Sequence, residues 1–158
     1  MDQGAVYLTR EKLQEIEAEH RELTTTGRAS VAQKIAEARS HGDLKENGDY
    51  DAAKEEQGLL ELRISKIEHV LSRARTVDVN DFPNDKVYIL SHVKVKNRKI
   101  NKELTYMMVS EFEADFSKNK LAVTSPVGRA LMGKSVGDVV SIKVPAGMME
   151  LEILDISR

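Results

Sequence analysis

The sequence predicts an α+β chain, with an amino-terminal antiparallel coiled-coil hairpin over residues 1–76 and a carboxy-terminal antiparallel β-sheet domain with a short helix over 77–158. Three observations predict it. Apolar residues keep helical spacing as far as Thr76, then alternate with polar ones. All three prolines, Pro83, Pro126 and Pro145, fall in the second half. A short turn at 42–50, bounded by Gly42 and Gly48, divides the helical half into two segments of similar length.

The second helical segment carries the clearest period. Ala53, Gln57, Leu60, Ile64, Ile67, Leu71 and Ala74 recur at steps of four and three, the rhythm of a coiled-coil seam. Its partner is the first segment, where Leu13, Ile16, His20 and Leu23 keep the same rhythm. Val31, Ile35 and Ala38 resume it past Gly27 after a shifted step, and such insertions locally unwind a coiled coil. Thr9 is placed to cap the first helix and Glu11 to meet its dipole. Two helices joined by a short turn fold back on each other, giving an arm about 40 Å long at about 1.5 Å per residue.

Beyond Thr76 the alternation predicts strands at 86–90, 92–96, 104–109, 121–123, 139–144 and 149–156. Ser125 and Pro126, followed by Val127, Ala130 and Leu131, read as a short helix stopped by Gly133. The product is a strongly bent sheet carrying one helix. Lys94, Lys96, Arg98, Lys99 and Lys102 alternate with Val93 and Val95, as the wet face of a hairpin would, with a contact to a partner protein or nucleic acid as the other reading.

Composition narrows the chemistry. Charged residues are 32% and aromatics 4% of the chain, a balance suited to long solvated helices. The net charge of −2 argues against binding nucleic acid by bulk electrostatics, so any such contact is local. The absence of cysteine excludes disulfides, thiol nucleophiles and thiolate metal sites. His20, His41, His69 and His92 are scattered without metal-ligand spacing. No apolar run approaches the roughly 20 residues that span a bilayer, and the opening MDQGAVYLTR lacks a secretory apolar core. The expectation is a cytoplasmic protein with no membrane partner and no tightly bound cofactor.

The turn itself holds Asp43 and Glu46, three residues apart, so both carboxylates lie on one side of a helical turn. Magnesium suits such a pair, since it takes one or two protein carboxylates, keeps waters and draws other oxygens from phosphates. Two carboxylates alone hold it weakly, as suits ligands offered to a metal site that another molecule builds, such as the second ion of a two-metal phosphodiester hydrolysis. By spacing alone, solvated turn charges are the usual reading of acids between helices, and helical arms also serve as tRNA-binding props, chaperone tentacles or passive spacers. Asn47 and Asp49 cap turns and helix starts, and Tyr50 supplies a ring to pack beneath the turn and a hydroxyl to fix it.

The stretch GDLKENGDYDAAKEEQ closely resembles the tip signature of the Gre family of bacterial transcript-cleavage factors, of the GreA type. The likeness extends through IAEARSHGDL before it, the stretch TSPVGRALMGK at 124–134, and VGDVV at 136–140, so that nearly the whole chain is covered. It implies a coiled-coil hairpin and an FKBP-like domain, and bacterial RNA polymerase as partner of a monomeric factor. It further implies that the second domain docks at the rim of the polymerase secondary channel, with Ser125 and Pro126 as docking residues. The hairpin would carry Asp43 and Glu46 to the polymerase active centre, to share Mg2+ there and activate the polymerase's own cleavage of backtracked RNA. Asn47 and Tyr50 take the role of tip support, and Arg39 and Lys54 that of contacts to the nascent RNA 3′ end or the polymerase. Ordinary helix ion pairs are the competing reading for Arg39 and Lys54. Gly48 and Asp49 depart from the family's more usual alanine and glutamate. The near-neutral charge favours the GreA type over the GreB type.

On this reading the chain is not an enzyme but an accessory factor. Two alternatives accompany it. A peptidyl-prolyl isomerase would need an aromatic-lined apolar pocket, for which the second half has only Phe82, Tyr88, Tyr106, Phe112 and Phe116. A channel plug that inhibits polymerase would have no need of the paired tip acids.

Overall fold

The computed structural model describes residues 4–42, 47–77, 80 and 82–158. The chain divides into two compact units, one of Glu11–Ala74 and the other of Arg75–Arg158 together with the leading segment through Arg10. The hairpin therefore starts later than the expected boundary at residue 1. Leu8 explains why: it is fully buried and its N–H donates to the Arg75 carbonyl at 3.0 Å. Two-residue strands β1 (Val6–Tyr7) and β2 (Ala74–Arg75) form a small sheet of their own.

The helical unit runs α1 (Arg10–Glu22), a π-helical turn (Leu23–Gly27), α2 (Arg28–Ser40) and α3 (Gly48–Arg73). Every seam residue read from the sequence is buried or half-buried, with Ile16, Val31, Ile35, Ala38, Ala53, Ile64 and Ile67 at the centre. The shifted step after Leu23 is the π turn. A single extra residue would rotate everything beyond it off the seam, and the wider turn absorbs that residue so that both halves face α3. The Arg28 N–H reaches the Leu23 carbonyl, while the Thr24 hydroxyl donates to the His20 carbonyl at 2.8 Å and the Thr25 hydroxyl to the Arg21 carbonyl at 2.6 Å. Three consecutive threonines are thus suited to a turn that leaves carbonyls short of their usual partners. Gly27 faces the seam, where an added Cβ would meet Leu60 Cδ1 at 3.3 Å.

Outside the seam, charge pairs join the two arms. Arg63 grips Glu19 with two bonds of 2.8 and 2.9 Å, Arg28 grips Glu61 at 2.9 and 3.0 Å, and Lys34 reaches Glu56 at 2.8 Å. From the seam itself, His20 lies 3.0 Å from Glu68. Such exposed pairs add little stability each but favour one register of the arms.

The second unit is a five-stranded sheet in the order β5-β4-β3-β7-β6, built from β3 (His92–Asn97), β4 (Lys102–Val109), β5 (Lys120–Ala122), β6 (Val139–Val144) and β7 (Gly147–Ser157). One short helix, α4 (Pro126–Leu131), follows β5. Val93, Val95, Val140, Ile142, Leu151, Ile153 and Ile156 make the core with Leu131 of α4, and Val127 and Ala130 pack against it. On β7 the buried spacing changes from two residues to three between Ile153 and Ile156. A bulge opposite Lys94 and Val95 takes up the odd residue and keeps both isoleucines inward.

Two expectations need correction. The strand at 86–90 is absent: Val87 and Ile89 are buried, but the segment turns, with Leu90 at φ 69° and the Tyr88 N–H bonded to Ser91 Oγ. Val87 pairs instead with the end of α4, through its N–H to the Lys134 carbonyl and its carbonyl to the Gly133 N–H. The sheet is also not wholly antiparallel, because β5 runs parallel to β4. Among the described residues, no helix is long and apolar enough to cross a membrane.

Candidate functional site

The tip of the hairpin is built by the end of α2 and the start of α3. Asp43 and Glu46, the two acids of the turn, lie outside the described residues. Asn47 is the amino-terminal cap of α3, in an extended conformation, and its Oδ1 accepts from the Tyr50 N–H at 3.1 Å. Its Nδ2 donates to the Ala38 carbonyl of α2 at 2.6 Å. One side chain therefore starts the second helix and ties it to the end of the first. The Ala38 carbonyl also accepts from the His41 N–H at 3.2 Å. Beyond it Gly42 takes φ 114°, a conformation that side chains resist.

Tyr50 packs against the buried cluster of Val31, Ile35 and Ala53, so the start of α3 is footed on the seam. The Arg39 guanidinium lies over this ring at 5.9 Å from its centre. Arg39 is exposed and lies beside the turn in a cation–π contact with this ring. Lys54 is exposed on the next turn, its Nζ donating to Gln57 Oε1 at 2.8 Å. Asp49 and Asp51 sit in the first turn of α3, where acidic charge is favoured. An open groove of about 260 Å3 between the arms is lined by Lys34, Glu37, His41, Asp49 and Glu56 over Ala38, Ala52 and Ala53.

Ser125 and Pro126 occupy the start of α4. The Ser125 hydroxyl donates to the Ala122 carbonyl at 2.7 Å and accepts from the Gly128 N–H at 3.0 Å, so it caps the helix, while Pro126 is exposed at the first helical position. Gly128 lies so close to β5 that a Cβ there would overlap the Ala122 carbonyl oxygen. The corner that presents Pro126 is therefore fixed by two backbone segments in contact.

Sequence reading missed the Arg39 stack and the role of Glu113. That carboxylate is almost wholly buried, and accepts from the Thr9 N–H at 3.1 Å, the Thr9 hydroxyl at 2.8 Å and Lys120 Nζ at 3.2 Å. Thr9 thus has a distant partner besides its place before α1. Among the described residues, no group of three or more histidines and acids is arranged to hold a metal.

The family description "Transcription elongation factor, N-terminal" matches residues 6–76, and "Transcription elongation factor, GreA/GreB, C-term" matches 82–158. The chain belongs to the GreA/GreB family of transcription elongation factors. Its GreA/GreB relatives include the transcription elongation factor GreA of Amoebophilus asiaticus, 48% identical over 151 residues that cover 96% of each chain. Another is the GreA of Chlorobaculum tepidum, 50% identical over 152 residues with 96% of each chain covered. Among solved structures, the GreA factor homolog 1 of Thermus thermophilus is 29% identical over 98% of this chain and 99% of its own, with a TM-score of 0.41.

Proposed function

We propose that this GreA/GreB-family chain is an accessory factor without an active site of its own, which enters the secondary channel of bacterial RNA polymerase. There it stimulates the polymerase's Mg2+-dependent cleavage of backtracked nascent RNA and so rescues arrested complexes. The observation that carries the reading is the clamp at the tip. Asn47 fastens together the two helices that flank the segment bearing Asp43 and Glu46, and Tyr50 footed on the seam stands beside the clamp. Acidic residues so mounted are suited to delivery into another molecule.

The donor chemistry fits magnesium. Two carboxylates supply hard oxygens but too few of them, which agrees with ligands lent to a centre already holding phosphate and polymerase oxygens. Bound there, the ion would supply charge stabilisation and a polarised water. Asp43 and Glu46 would orient that water and accept its hydrogen bond. Arg39 and Lys54, both exposed beside the tip, would meet the phosphates of the extruded RNA 3′ segment. Pro126, on its fixed corner, would face the channel rim. The aromatic side chains of the second unit are spent elsewhere: Phe82 stacks on Tyr88 at 5.7 Å, and Phe116 is 90% exposed. That dispersal speaks for an accessory factor over a prolyl isomerase. The protein would work as a monomer in the cytoplasm, where the polymerase is.

The test is a cleavage assay on stalled, backtracked elongation complexes. Wild-type protein with magnesium should release short 3′ RNA fragments, and Asp43→Ala or Glu46→Ala should abolish the release while polymerase binding persists. A doubly substituted protein that still stimulates cleavage at the wild-type rate would overturn the reading.

A further inference from the structure

One face of α3 takes no part in the hairpin. Ala52, Glu55, Leu59, Leu62, Lys66 and His69 recur at steps of three and four, and all are exposed. At about 3.6 residues per turn they form a stripe roughly opposite Ile64 and Ile67, which are buried in the seam. The helix therefore carries two stripes of coiled-coil period, and the hairpin uses one of them.

The uncovered stripe has an apolar centre and a charge of opposite sign at each end. Leu59 is 62% exposed and Leu62 52%. Exposed leucines scattered singly are ordinary, but these two are neighbours one turn apart on a single helix. Glu55 lies a turn before them and Lys66 a turn after. The charged residues in between, Glu56, Glu61 and Arg63, each pair with the other arm, through Lys34, Arg28 and Glu19. Among the described residues, Glu55 and Lys66 have no such partner.

The order acid, leucine, leucine, base is complementary to itself when reversed. Two copies of α3 set antiparallel, with a two-fold axis between Leu59 and Leu62, bring each Leu59 against Leu62 of the other copy and each Glu55 against Lys66. The small Ala52 then faces the larger His69. Parallel pairing would set Glu55 beside Glu55 and Lys66 beside Lys66, which like-charge repulsion opposes. Every antiparallel contact is made twice, as in any two-fold interface.

We propose that this face of α3 docks a second copy of the chain, joining two hairpins through an antiparallel pair of α3 helices. The contact spans about 25 Å of each helix at about 1.5 Å per residue, so the pairing is weak and reversible. A paired arm must part from its copy before it can enter a channel, a consequence that rests on the proposed entry into polymerase. The pairing itself does not.

The experiment is sedimentation of the full chain from about 1 μM to about 1 mM. The mean mass should rise from that of one chain toward that of two. Leu59→Gln/Leu62→Gln should weaken association at least on the order of 10-fold. Lys66→Glu, which sets like charges face to face, should weaken it by a similar factor, and Glu55→Lys/Lys66→Glu should restore it. Register is read by cross-linking, without background because the chain has no cysteine. Glu55→Cys mixed with Lys66→Cys should link through a short bis-maleimide. Glu55→Cys alone should not, since its two copies lie about 16 Å apart along the axis. A wild type that stays single at about 1 mM, a charge swap that fails to restore association, or equal linking in the mixed and unmixed samples would overturn the proposal. So would a single-chain wild type whose leucine variant binds polymerase more weakly, which would assign the face to polymerase. Transcript-cleavage stimulation is read on the same proteins, and its absence in the wild type would defeat the cleavage reading while leaving the sedimentation result standing.

Discussion

Asn47 holds the carbonyl of Ala38 through its Nδ2 at 2.6 Å while its Oδ1 receives the Tyr50 N–H at 3.1 Å, so a single amide is both helix cap and cross-hairpin clamp. Asn47→Ala should lose both, at about 1–2 kcal/mol in urea melts. Asn47→Asp keeps the cap acceptor and loses the donor. It should recover most of the stability but not the cleavage stimulation. Full activity in Asn47→Asp would show that the clamp to Ala38 does not position the tip.

Gly48 and Gly58 carry no such duty. An added Cβ at either meets nothing within 4 Å, and neither backbone lies in the left-handed region. Gly58→Ala, in the interior of α3, should raise stability by about 0.8–1 kcal/mol, and Gly48→Ala, at its first residue, by less. Thermal melts check both, and cleavage stimulation should be unchanged in Gly58→Ala.

Gly128→Ala should do the opposite. Its Cβ would meet a backbone carbonyl, which cannot move aside as a flexible side chain can. A loss of about 3 kcal/mol is expected, together with weaker polymerase binding from the displaced corner at Pro126. A variant as stable as wild type would show that α4 is free to lift from β5.

The Glu19 carboxyl is held below the usual carboxylate range, first by its hydrogen bond from Arg63 and against an opposing effect of burial. A lowered folded-state value gives stability that is present above the unfolded value of about 4.3 and lost as pH falls through the folded one. The difference between wild type and Arg63→Gln should therefore be flat near neutrality, about 0.5–1 kcal/mol for so exposed a pair, and should vanish in acid. Denaturant melts at a series of pH values give the curve.

The seam was legible in the sequence because burial on a helix follows one short period, and each of its positions from Leu13 to Ala74 is at least half-buried. The same logic misread 86–90. Val87 and Ile89 do alternate with more exposed residues, yet Val87 joins the sheet's core and Ile89 packs with Leu90 and Val109 while the segment itself turns, and alternation records burial without saying whether a strand partner exists. The parallel direction of β5 and the burial of Glu113 beside Thr9 depend on distant parts of the chain meeting, to which local spacing is blind. At the tip, the cap at Asn47 was legible from residue type. The stacking of Arg39 on Tyr50 was not, since it joins two helices across the turn. Asp43 and Glu46 rest on their sequence signature.

The π turn at Leu23–Gly27 has a mechanical consequence. Its Thr24 and Thr25 donate their hydroxyls to the His20 and Arg21 carbonyls at the end of α1, and such bonds exchange with water more cheaply than helical amide bonds do. An axial load on the arm should accordingly be taken up there before the regular turns on either side give way. Amide hydrogen exchange should mark the spot, with faster opening at residues 24–28 than at Ile16 or Ile35. The hairpin is then a lever with one compliant joint partway along its first helix, able to yield sideways without disturbing the clamp at its end.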